Sequence, residues 1–366
     1  MSDVLIAGGG VIGLSLAYEL SGRGARVTLI DKGEVGGEAS WAGAGILTPA
    51  SVDGADRPID RLRALSTSMI ADWSPRLQEE TGIDNGYRRC GSFHVALDEE
   101  MVPALRREAA DLQAQGVAVE SVSDRELQSL EPALDGGFPL AYRYPSEAQI
   151  RNPWHVRALA VACRRRGVEV RTHCALSGWQ ISQGRITAAQ TTAGALPADR
   201  FVLAAGAWSP HLLPAGSAAF PGRPMRGQIV LLEAPSPLFS HLVWAGPRYL
   251  VPRPDGKVLI GSTEEDAGFD SRPTAAGVAG LIALARRIAP RLEALPFAAA
   301  WAGLRPGSPD GLPLLGAFTG RDNLFLACGH FRAGFELSAG TARVMTELLL
   351  DGAPSLDLDA FHPDRF

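Results

Sequence analysis

The sequence lacks several features that would assign it to other classes of protein. Its four cysteines, Cys90, Cys163, Cys174 and Cys328, form no C-x-x-C pair and have no histidine cluster nearby, so we expect free core thiols and no metal site. No apolar run reaches the length of a membrane span. The 40 acidic and 35 basic residues give a net charge of −5, so no basic excess indicates nucleic-acid binding.

The composition is that of an ordinary globular protein. Of the 366 residues, 46% are hydrophobic and 20% are charged. That length suffices for two domains, each with a substantial core. The first predicted core strand begins almost at the N-terminus, which leaves no room for a signal peptide. We therefore expect a cytoplasmic protein that has neither a membrane nor a nucleic acid as its partner.

The first 31 residues carry the most informative pattern. An apolar run over residues 4–6 precedes a G-x-G-x-x-G motif of Gly8, Gly10 and Gly13, and a helical pattern then leads to a second strand ending at Asp31. In such a unit the glycines allow the turn, the approach of a pyrophosphate and close packing of helix on strand. The helix N-terminus attracts phosphate, and the acid accepts a hydrogen bond from a ribose hydroxyl. The pattern predicts a dinucleotide site, because a glycine-rich turn in an ordinary α/β domain would not explain the placed acid.

The next segment, residues 33–47, is crowded with small side chains. It has too many glycines for a good helix and too little charge for a solvated loop. Two interpretations are open: the backbone lies against a flat ligand, or the segment is a tightly packed junction between a loop and a helix.

Later strands predict a discontinuous nucleotide-binding domain. A helix over 154–166, with Asn152 as its N-cap and Pro153 at its first position, leads to a strand over 167–171 that returns to the first sheet. Strands over 200–205 and 324–328 return again. The first domain is predicted to comprise 1–85, 146–218 and 300–366, and the second 86–145 and 219–299.

Long motifs along the whole chain resemble those of one group of flavoenzymes. The segment DVLIAGGGVIG at residues 3–13 resembles FAD enzymes of the D-amino-acid oxidase type. Later motifs are similar to those of the glycine oxidases of thiamine biosynthesis, and they lie at residues 40–47, 225–228, 249–253, 303–313 and 329–334. The resemblance implies an α/β fold (α+β overall). It consists of a Rossmann-like FAD-binding domain of the glutathione-reductase and D-amino-acid-oxidase type and a second, mainly antiparallel-sheet substrate domain.

The same resemblance implies FAD as the cofactor, with Asp31 as a ligand of its adenosine ribose. A reduced flavin gathers negative charge at N1–C2=O, which backbone N–H groups before the last predicted helix would stabilise. For His330 the competing interpretation is a backbone cap. Glu336 is a departure, because an acid there either caps the helix or disfavours an anionic flavin. The implied contacts are Gly8, Gly10, Val11, Ile12, Gly13, Asp31, Lys32, Ala39, Ser40, Ala44, Gly45, Ile46, Ala175, Gly206, His330, Phe331, Arg332, Ala333, Gly334, Phe335 and Glu336.

Three residues, Arg305, Tyr249 and Arg332, are predicted to hold the substrate. A carboxylate is a planar acceptor with two oxygens, and arginine is a forked, permanently charged donor. Arg305 is the predicted clamp, and the alternative is an ion pair with a carboxylate such as Asp310. Tyr249 either adds a phenolic hydrogen bond or is a core aromatic. Arg332 either lines the amine side or is a surface cation.

The resemblance implies oxidative deamination of glycine and other small amines or amino acids, including sarcosine and small D-amino acids. Hydride passes from the substrate to flavin N5, and molecular oxygen then accepts the electrons to give hydrogen peroxide. The other products are a 2-oxo acid and ammonia or an amine. Two alternatives remain: a dehydrogenase of D-amino acids or sarcosine with another electron acceptor, and a flavin-binding protein without turnover. The resemblance also implies a homotetramer and a role in thiamine biosynthesis.

Overall fold

A six-stranded sheet forms around the N-terminal strand in the computed structural model, which describes residues 3–51, 54–216 and 222–366. Its strands, from one edge to the other, are β18 (Leu314–Phe318), β19 (Arg321–Cys328), β12 (Arg200–Leu203), β1 (Asp3–Ala7), β2 (Arg26–Ile30) and β8 (Glu169–Arg171). Neighbours are parallel except β18 and β19, which form an antiparallel hairpin. The strands come from three separate parts of the chain, so the predicted returns to the first sheet are confirmed.

Three long helices pack on this sheet, and a fourth packs against two of them. Helix α1 (Val11–Gly22) is buried along most of its length, which fits its nearly uniform apolar composition. It packs against α6 (Asn152–Arg165) and α8 (Ser338–Leu350), and α3 (Pro58–Thr81) packs against the same two helices. The aliphatic side chains between these helices and the sheet form the largest hydrophobic core of the molecule.

The start of α6 differs from the prediction. Helix α6 begins at Asn152 itself, and Arg151 occupies the N-cap position without a side-chain cap in the described part of the chain. Asn152 is buried, and its Nδ2 donates to the Ser40 carbonyl at 3.2 Å. The side chain therefore supports residues 33–47 instead of capping its own helix. Pro153 then falls at the second helical position, where its missing N–H leaves no bond unmade.

An eight-stranded sheet forms the second layer. Its order is β17 (Phe297–Gly307), β13 (Arg223–Glu233), β16 (Lys257–Gly261), β15 (Arg248–Pro252), β14 (Leu242–Ala245), β4 (Ser92–Ala96), β6 (Leu140–Tyr144) and β5 (Glu120–Ser121). Only the β14–β4 pair is parallel among these described strands. Helix α7 (Ala275–Ile288) packs on β13 and β16, and its apolar face joins the second large core.

Strand β17 changes the predicted division of the chain. The prediction assigns residues 300–366 to the first domain, whereas β17 pairs with β13 from Gly307 to Phe297 in the eight-stranded sheet. Residues 300–307 thus continue the second sheet. This antiparallel pairing joins segments about 75 positions apart, and no local pattern reveals it. The predicted boundary between residues 218 and 219 lies outside the described residues.

Smaller elements complete the fold. A three-stranded sheet has the order β11 (Gly194–Pro197), β10 (Arg185–Thr191) and β9 (Leu176–Ser182), and β3 (Ile46–Leu47) pairs with β7 (Ala148–Gln149). The remaining helices are α2 (Ala39–Ala42), α4 (Val102–Ala114) and α5 (Asp124–Leu130), with 3-10 turns at Glu99–Met101, Gly206–Leu212, Pro290–Ala294, Phe331–Ala333 and Asp359–Phe361. Within the three described ranges, no helix is both long and apolar enough to cross a bilayer.

Candidate active site

A cavity of about 620 Å³ lies between the two large sheets. At one end it is lined by the residues at the carboxyl ends of β1, β2, β12 and β19, and at the other by side chains of β14, β15 and β17. Ligands of open α/β sheets bind beyond the carboxyl ends of the strands, and the volume is in the range of cofactor sites. We call the first of these the cofactor end, where a cofactor is expected, and the second the substrate end, where a substrate is expected.

Glycines are required where β1 meets α1. Gly8 has φ +116°, and a Cβ there would lie under 3.0 Å from the Ala204 carbonyl oxygen. Gly10 is the N-cap of α1 and has no side chain of its own to cap the helix. A Cβ on Gly13 would overlap the Gly8 carbonyl oxygen, so Gly13 acts by packing. It lies outside the cavity lining, whereas every other residue predicted to contact FAD or substrate belongs to the lining.

Asp31 fixes the glycine turn from the end of β2. Its Oδ2 accepts from the Gly9 N–H at 2.7 Å, and its Oδ1 accepts from the Gly33 N–H at 2.8 Å. Burial raises the pKa of Asp31 above its usual value, although both backbone donors oppose the shift. A carboxylate has about four lone-pair sites. It can therefore hold the turn and still accept a ribose hydroxyl from the cavity.

Lys32 and Trp208 form the wall beside Asp31. The Lys32 ammonium lies 3.3 Å from the centre of the Trp208 ring and pairs with Glu38 at 3.1 Å. Trp208 belongs to the Gly206–Leu212 turn that follows β12. The sequence predicted Gly206 at this strand end but not Trp208. Trp208 stacks on Lys32, which is far away in the sequence, so no local motif indicates the contact.

The packing interpretation of residues 33–47 is confirmed, and contact of this segment with a flat ligand stays a prediction. Gly43 and Gly45 pack tightly against neighbouring atoms. A Cβ on Gly43 would lie 2.6 Å from Asn152 Nδ2 at the start of α6, and a Cβ on Gly45 would overlap the Ile150 carbonyl oxygen between β7 and α6. The other face of the same segment lines the cavity through Ala39, Ser40, Gly43, Ala44, Gly45 and Ile46. The Ser40 hydroxyl also accepts from the Val11 N–H at 2.9 Å and so connects the segment to the start of α1.

The segment after β19 is held by a buried histidine. Burial lowers the pKa of His330 to about 3, so the ring is neutral. Its Nε2 lies 3.0 Å from Thr341 Oγ1 on α8. The alternative prediction, that His330 caps a backbone group, is therefore wrong. The partner of its ring is the side-chain hydroxyl of Thr341. Residues 330–336 all line the cavity.

Glu336 belongs to a buried ionic cluster. Its Oε2 accepts from the Thr48 hydroxyl at 2.5 Å, and its Oε1 accepts from Arg63 Nε at 3.0 Å. Arg63 also pairs with Asp60. The predicted helix cap is wrong, because Leu337 is the N-cap of α8. Arg63 lines the cavity and compensates the charge of Glu336. The local sequence offered no reason for an acid at this position.

Arg305 is held by neutral oxygens. Its Nη2 donates to Ser262 Oγ at 2.6 Å, and its Nη1 donates to the Thr263 carbonyl at 3.1 Å. Gly227 on β13 leaves the space for the guanidinium, since a Cβ there would overlap it. Burial lowers the pKa of Arg305 from its usual value. The alternative of an ion pair with Asp310 is wrong, because Asp310 pairs with Arg365 at 2.8 Å.

Tyr249 lies beside Arg305 on the cavity wall. Its ring occupies space left by Gly261, where a Cβ would lie 2.5 Å from the ring. Trp244 packs edge-on against it with ring centroids 5.2 Å apart. Burial raises the pKa of Tyr249, and the charge of Arg305 opposes that shift. The phenol is thus a neutral group at the substrate end.

Arg332 forms a salt bridge with Glu264. Its Nε donates to Glu264 Oε2 at 2.6 Å, and its side chain is 48% exposed. It also lines the cavity. Arg332 is thus a partly exposed cation at the cavity, and its predicted place on the amine side of the substrate stays a prediction.

A polar chain that sequence reasoning missed supports Trp244. Its Nε1 donates to the carboxylate of Glu147 at 3.1 Å, and Glu147 is 0% exposed. His94 bridges the Glu147 carboxylate at 3.4 Å and Glu108 at 2.7 Å. These residues are up to 150 positions apart, so no spacing could have identified them. Further lining residues that were missed are Thr48, Arg63, Asn152, Trp208, Trp244 and Ser262.

The arrangement fits FAD. The Gly8 turn and the start of α1 can receive phosphates, Asp31 can receive a ribose hydroxyl, and residues 330–336 form a wall at the point where the cavity reaches Arg305. The fold and site define a dinucleotide-dependent oxidoreductase.

Comparison with known proteins identifies the family. The model of the family described as DAO, FAD dependent oxidoreductase, matches residues 3–348. The chain belongs to this family, so the predictions of FAD and of the fold class are confirmed.

Its relatives include several glycine oxidases. The glycine oxidase of Pseudomonas putida is 37% identical, over 99% of this chain and 98% of the relative. A bifunctional protein ThiO/ThiG of Nostoc is 32% identical, over 99% of this chain and 55% of the relative. The crystal structure of glycine oxidase from Geobacillus kaustophilus superposes with a TM-score of 0.94 at 32% identity, covering 100% of both chains. These similarities confirm the resemblance inferred from the motifs.

Proposed function

We propose that this protein oxidises glycine and other small amines or amino acids, such as sarcosine and small D-amino acids. The observation that carries the proposal is the environment of Arg305. This guanidinium lines the cavity, and no acid within the described residues forms a salt bridge with it. A partly buried cation held by two neutral oxygens retains donors for a substrate carboxylate. The similarity to glycine oxidases along the whole chain supports the same assignment.

The residues at the substrate end bind and orient the amino acid. Arg305 holds the carboxylate, Tyr249 contributes its hydroxyl, and the Trp244 ring limits the space for a side chain. Fixing one end of a small substrate aligns its α-carbon with the cofactor wall, which is the main contribution to rate that this site makes. When bound, FAD supplies the acceptor for the hydride of the α-carbon.

No side chain is assigned as a general base. The three carboxylates in the cavity lining all have partners: Asp31 accepts from Gly9 and Gly33, Glu38 pairs with Lys32, and Glu336 is held by Thr48 and Arg63. The neutral His330 ring faces Thr341. The amine therefore gives up its proton to solvent before reaction and reacts in its neutral form.

The overall reaction consumes molecular oxygen and water. The amino acid loses two electrons and two protons to oxygen, which becomes hydrogen peroxide, and water hydrolyses the imine to a 2-oxo acid and ammonia, or an amine from sarcosine. The test is a peroxide-coupled scan of glycine, sarcosine and small D-amino acids with the purified yellow protein. Peroxide formation supports the proposal. Substrate-dependent dye reduction without peroxide would instead identify a dehydrogenase, and the absence of both would indicate a flavin protein without turnover.

The proposal extends to the cellular setting. The relatives named ThiO/ThiG support a role in thiamine biosynthesis, and we expect a cytoplasmic homotetramer. Light scattering coupled to size-exclusion chromatography measures the oligomeric state directly, and a monomer would remove that part of the proposal.

A further inference from the structure

Two arginines line the substrate end of the cavity, and only one of them is paired with a carboxylate. Arg305 donates to the hydroxyl of Ser262 and the carbonyl of Thr263, both neutral. Arg332 donates to the carboxylate of Glu264, the very next residue. The three residues after β16 therefore act differently on the two cations. Ser262 and Thr263 leave the charge of Arg305 uncompensated, whereas Glu264 neutralises that of Arg332.

The Glu264–Arg332 pair lies at the edge of the site and not in its core. The Glu264 side chain is 32% exposed and that of Arg332 is 48% exposed. The two groups are close enough to Arg305 to act on it with opposite sign: Glu264 raises its pKa, and Arg332 lowers it, although burial has the largest effect. Arg305, Arg332 and Glu264 together carry a net charge of about one, which matches a single carboxylate. Arg248 also lowers the pKa of Arg305, but it lies outside the cavity lining and donates to the Ser262 carbonyl.

We propose that Glu264 is a specificity-determining residue that restricts this site to substrates with one carboxylate, by occupying Arg332. The inference rests on the proposed function and refines its substrate class. A second carboxylate on the substrate could bind Arg332 only after displacing Glu264, and it would meet the negative charge of Glu264 on approach. Removal of that charge leaves two arginines free and makes the site suitable for dicarboxylates.

The charge-removing variant Glu264→Gln tests this directly. Acetate and malonate are titrated into the yellow holoenzyme, and binding is measured by the change in flavin absorbance. The ratio of malonate affinity to acetate affinity is expected to rise by about fivefold or more in the variant, the effect of a partly exposed ion pair. Turnover should follow, with the kcat/KM of iminodiacetate rising relative to that of sarcosine.

Asp266→Asn is the matched control. Asp266 lies two positions along the same loop and pairs with Arg223 at 3.2 Å, away from the cavity lining. The control should retain the wild-type ratio. A double variant, Glu264→Gln with Arg332→Met, should lose the gain in malonate affinity, because the freed cation is gone.

The outcomes separate the inference from the proposed function. An unchanged malonate-to-acetate ratio in Glu264→Gln, or an equal rise in Asp266→Asn, overturns the role of Glu264. If no amine reduces the flavin of the wild-type protein, the proposed function fails, while the anion titration still decides the role of Glu264. A second variant, Glu264→Ala, and the thermal unfolding midpoint of each protein guard against a folding defect.

Discussion

At the scale of the residue, the site depends on positions where a side chain is absent. Gly8 allows β1 to turn against the backbone of Ala204, Gly227 leaves the space for the Arg305 guanidinium, and Gly261 does the same for Tyr249. The functional groups are therefore placed by neighbouring glycines as much as by their own elements. Such positions resist substitution for steric reasons that a motif alone does not state.

Substitution of Gly8 tests this at the cofactor end. Gly8→Ala adds a Cβ that overlaps Ala204 and requires φ +116°, so we expect a loss of about 3 kcal/mol or more in stability and loss of bound FAD. Gly33→Ala is the control on the adjoining loop, because a Cβ there has no neighbour within 4 Å. Its unfolding free energy should change by less than about 0.5 kcal/mol. Thermal unfolding and flavin content measure both, and equal behaviour would contradict the steric account.

At the scale of the element, a chain of polar side chains joins α4 and β4 to β14, from exposed Glu108 to buried Glu147. His94 on β4 contacts Glu108 of α4 and Glu147, and Glu147 in turn holds Trp244 of β14. Burial disfavours the charged ring, yet hydrogen bonds to both carboxylates raise the pKa of His94 above its usual value. The folded protein therefore favours protonated His94. The Glu147 carboxylate that holds Trp244 at the substrate end is thus paired with a cation.

This predicts a pH-dependent contribution to stability. Because the folded pKa is raised, the contribution is complete below pH about 6.5 and is lost as pH rises through the folded pKa. His94→Gln should remove that part of the pH dependence of the thermal midpoint above pH about 6.5. The control His362→Gln, an exposed site beside Asp364, should retain it. An identical pH profile for wild type and His94→Gln would contradict the role of His94.

At the scale of the whole molecule, Arg253 connects the eight-stranded sheet to the segments around Ala44 and Ile150. It follows β15, is 4% exposed, and donates to the Ala44 carbonyl at 2.7 Å, the Ile150 carbonyl at 3.1 Å and Gln149 Oε1 at 2.7 Å. Burial lowers its pKa to about 10, so it is charged at neutral pH. One side chain from the eight-stranded sheet thus satisfies two buried carbonyl groups, and one of them, Ala44, belongs to the cavity lining.

Loss of this connection should affect both ends of the cavity. Arg253→Ala leaves buried carbonyls without donors, and we expect a loss of about 2–4 kcal/mol in stability together with weaker FAD retention. Arg286→Gln, which breaks an exposed pair with Glu293, should cost less than about 1 kcal/mol. Urea unfolding of the holoenzymes, followed by flavin and tryptophan fluorescence, measures the difference. Similar losses in both variants would remove the bridging role.

The sequence predicts those parts of the molecule that local patterns encode. Gly8, Gly13 and Asp31 have spacings that follow from the turn itself, so the first unit and its returning strands could be inferred. The pairing of β17 with β13, the Arg63–Glu336 cluster and the Glu147–Trp244 bond depend on tertiary contacts between distant segments. Asn152 is a further example. Asparagine commonly caps helices, but here its side chain donates to the distant Ser40 carbonyl, which the local sequence does not predict.

The measurement that tests the central claim most directly is anaerobic reduction of the bound flavin by glycine and sarcosine, in wild type and Arg305→Ala. The account predicts that the substrate bleaches the wild-type flavin. Arg305→Ala should retain FAD but require about 10- to 100-fold more substrate, since a charge-assisted clamp is lost. A wild-type flavin that no small amino acid reduces, or an Arg305→Ala variant with unchanged concentration dependence, would contradict it.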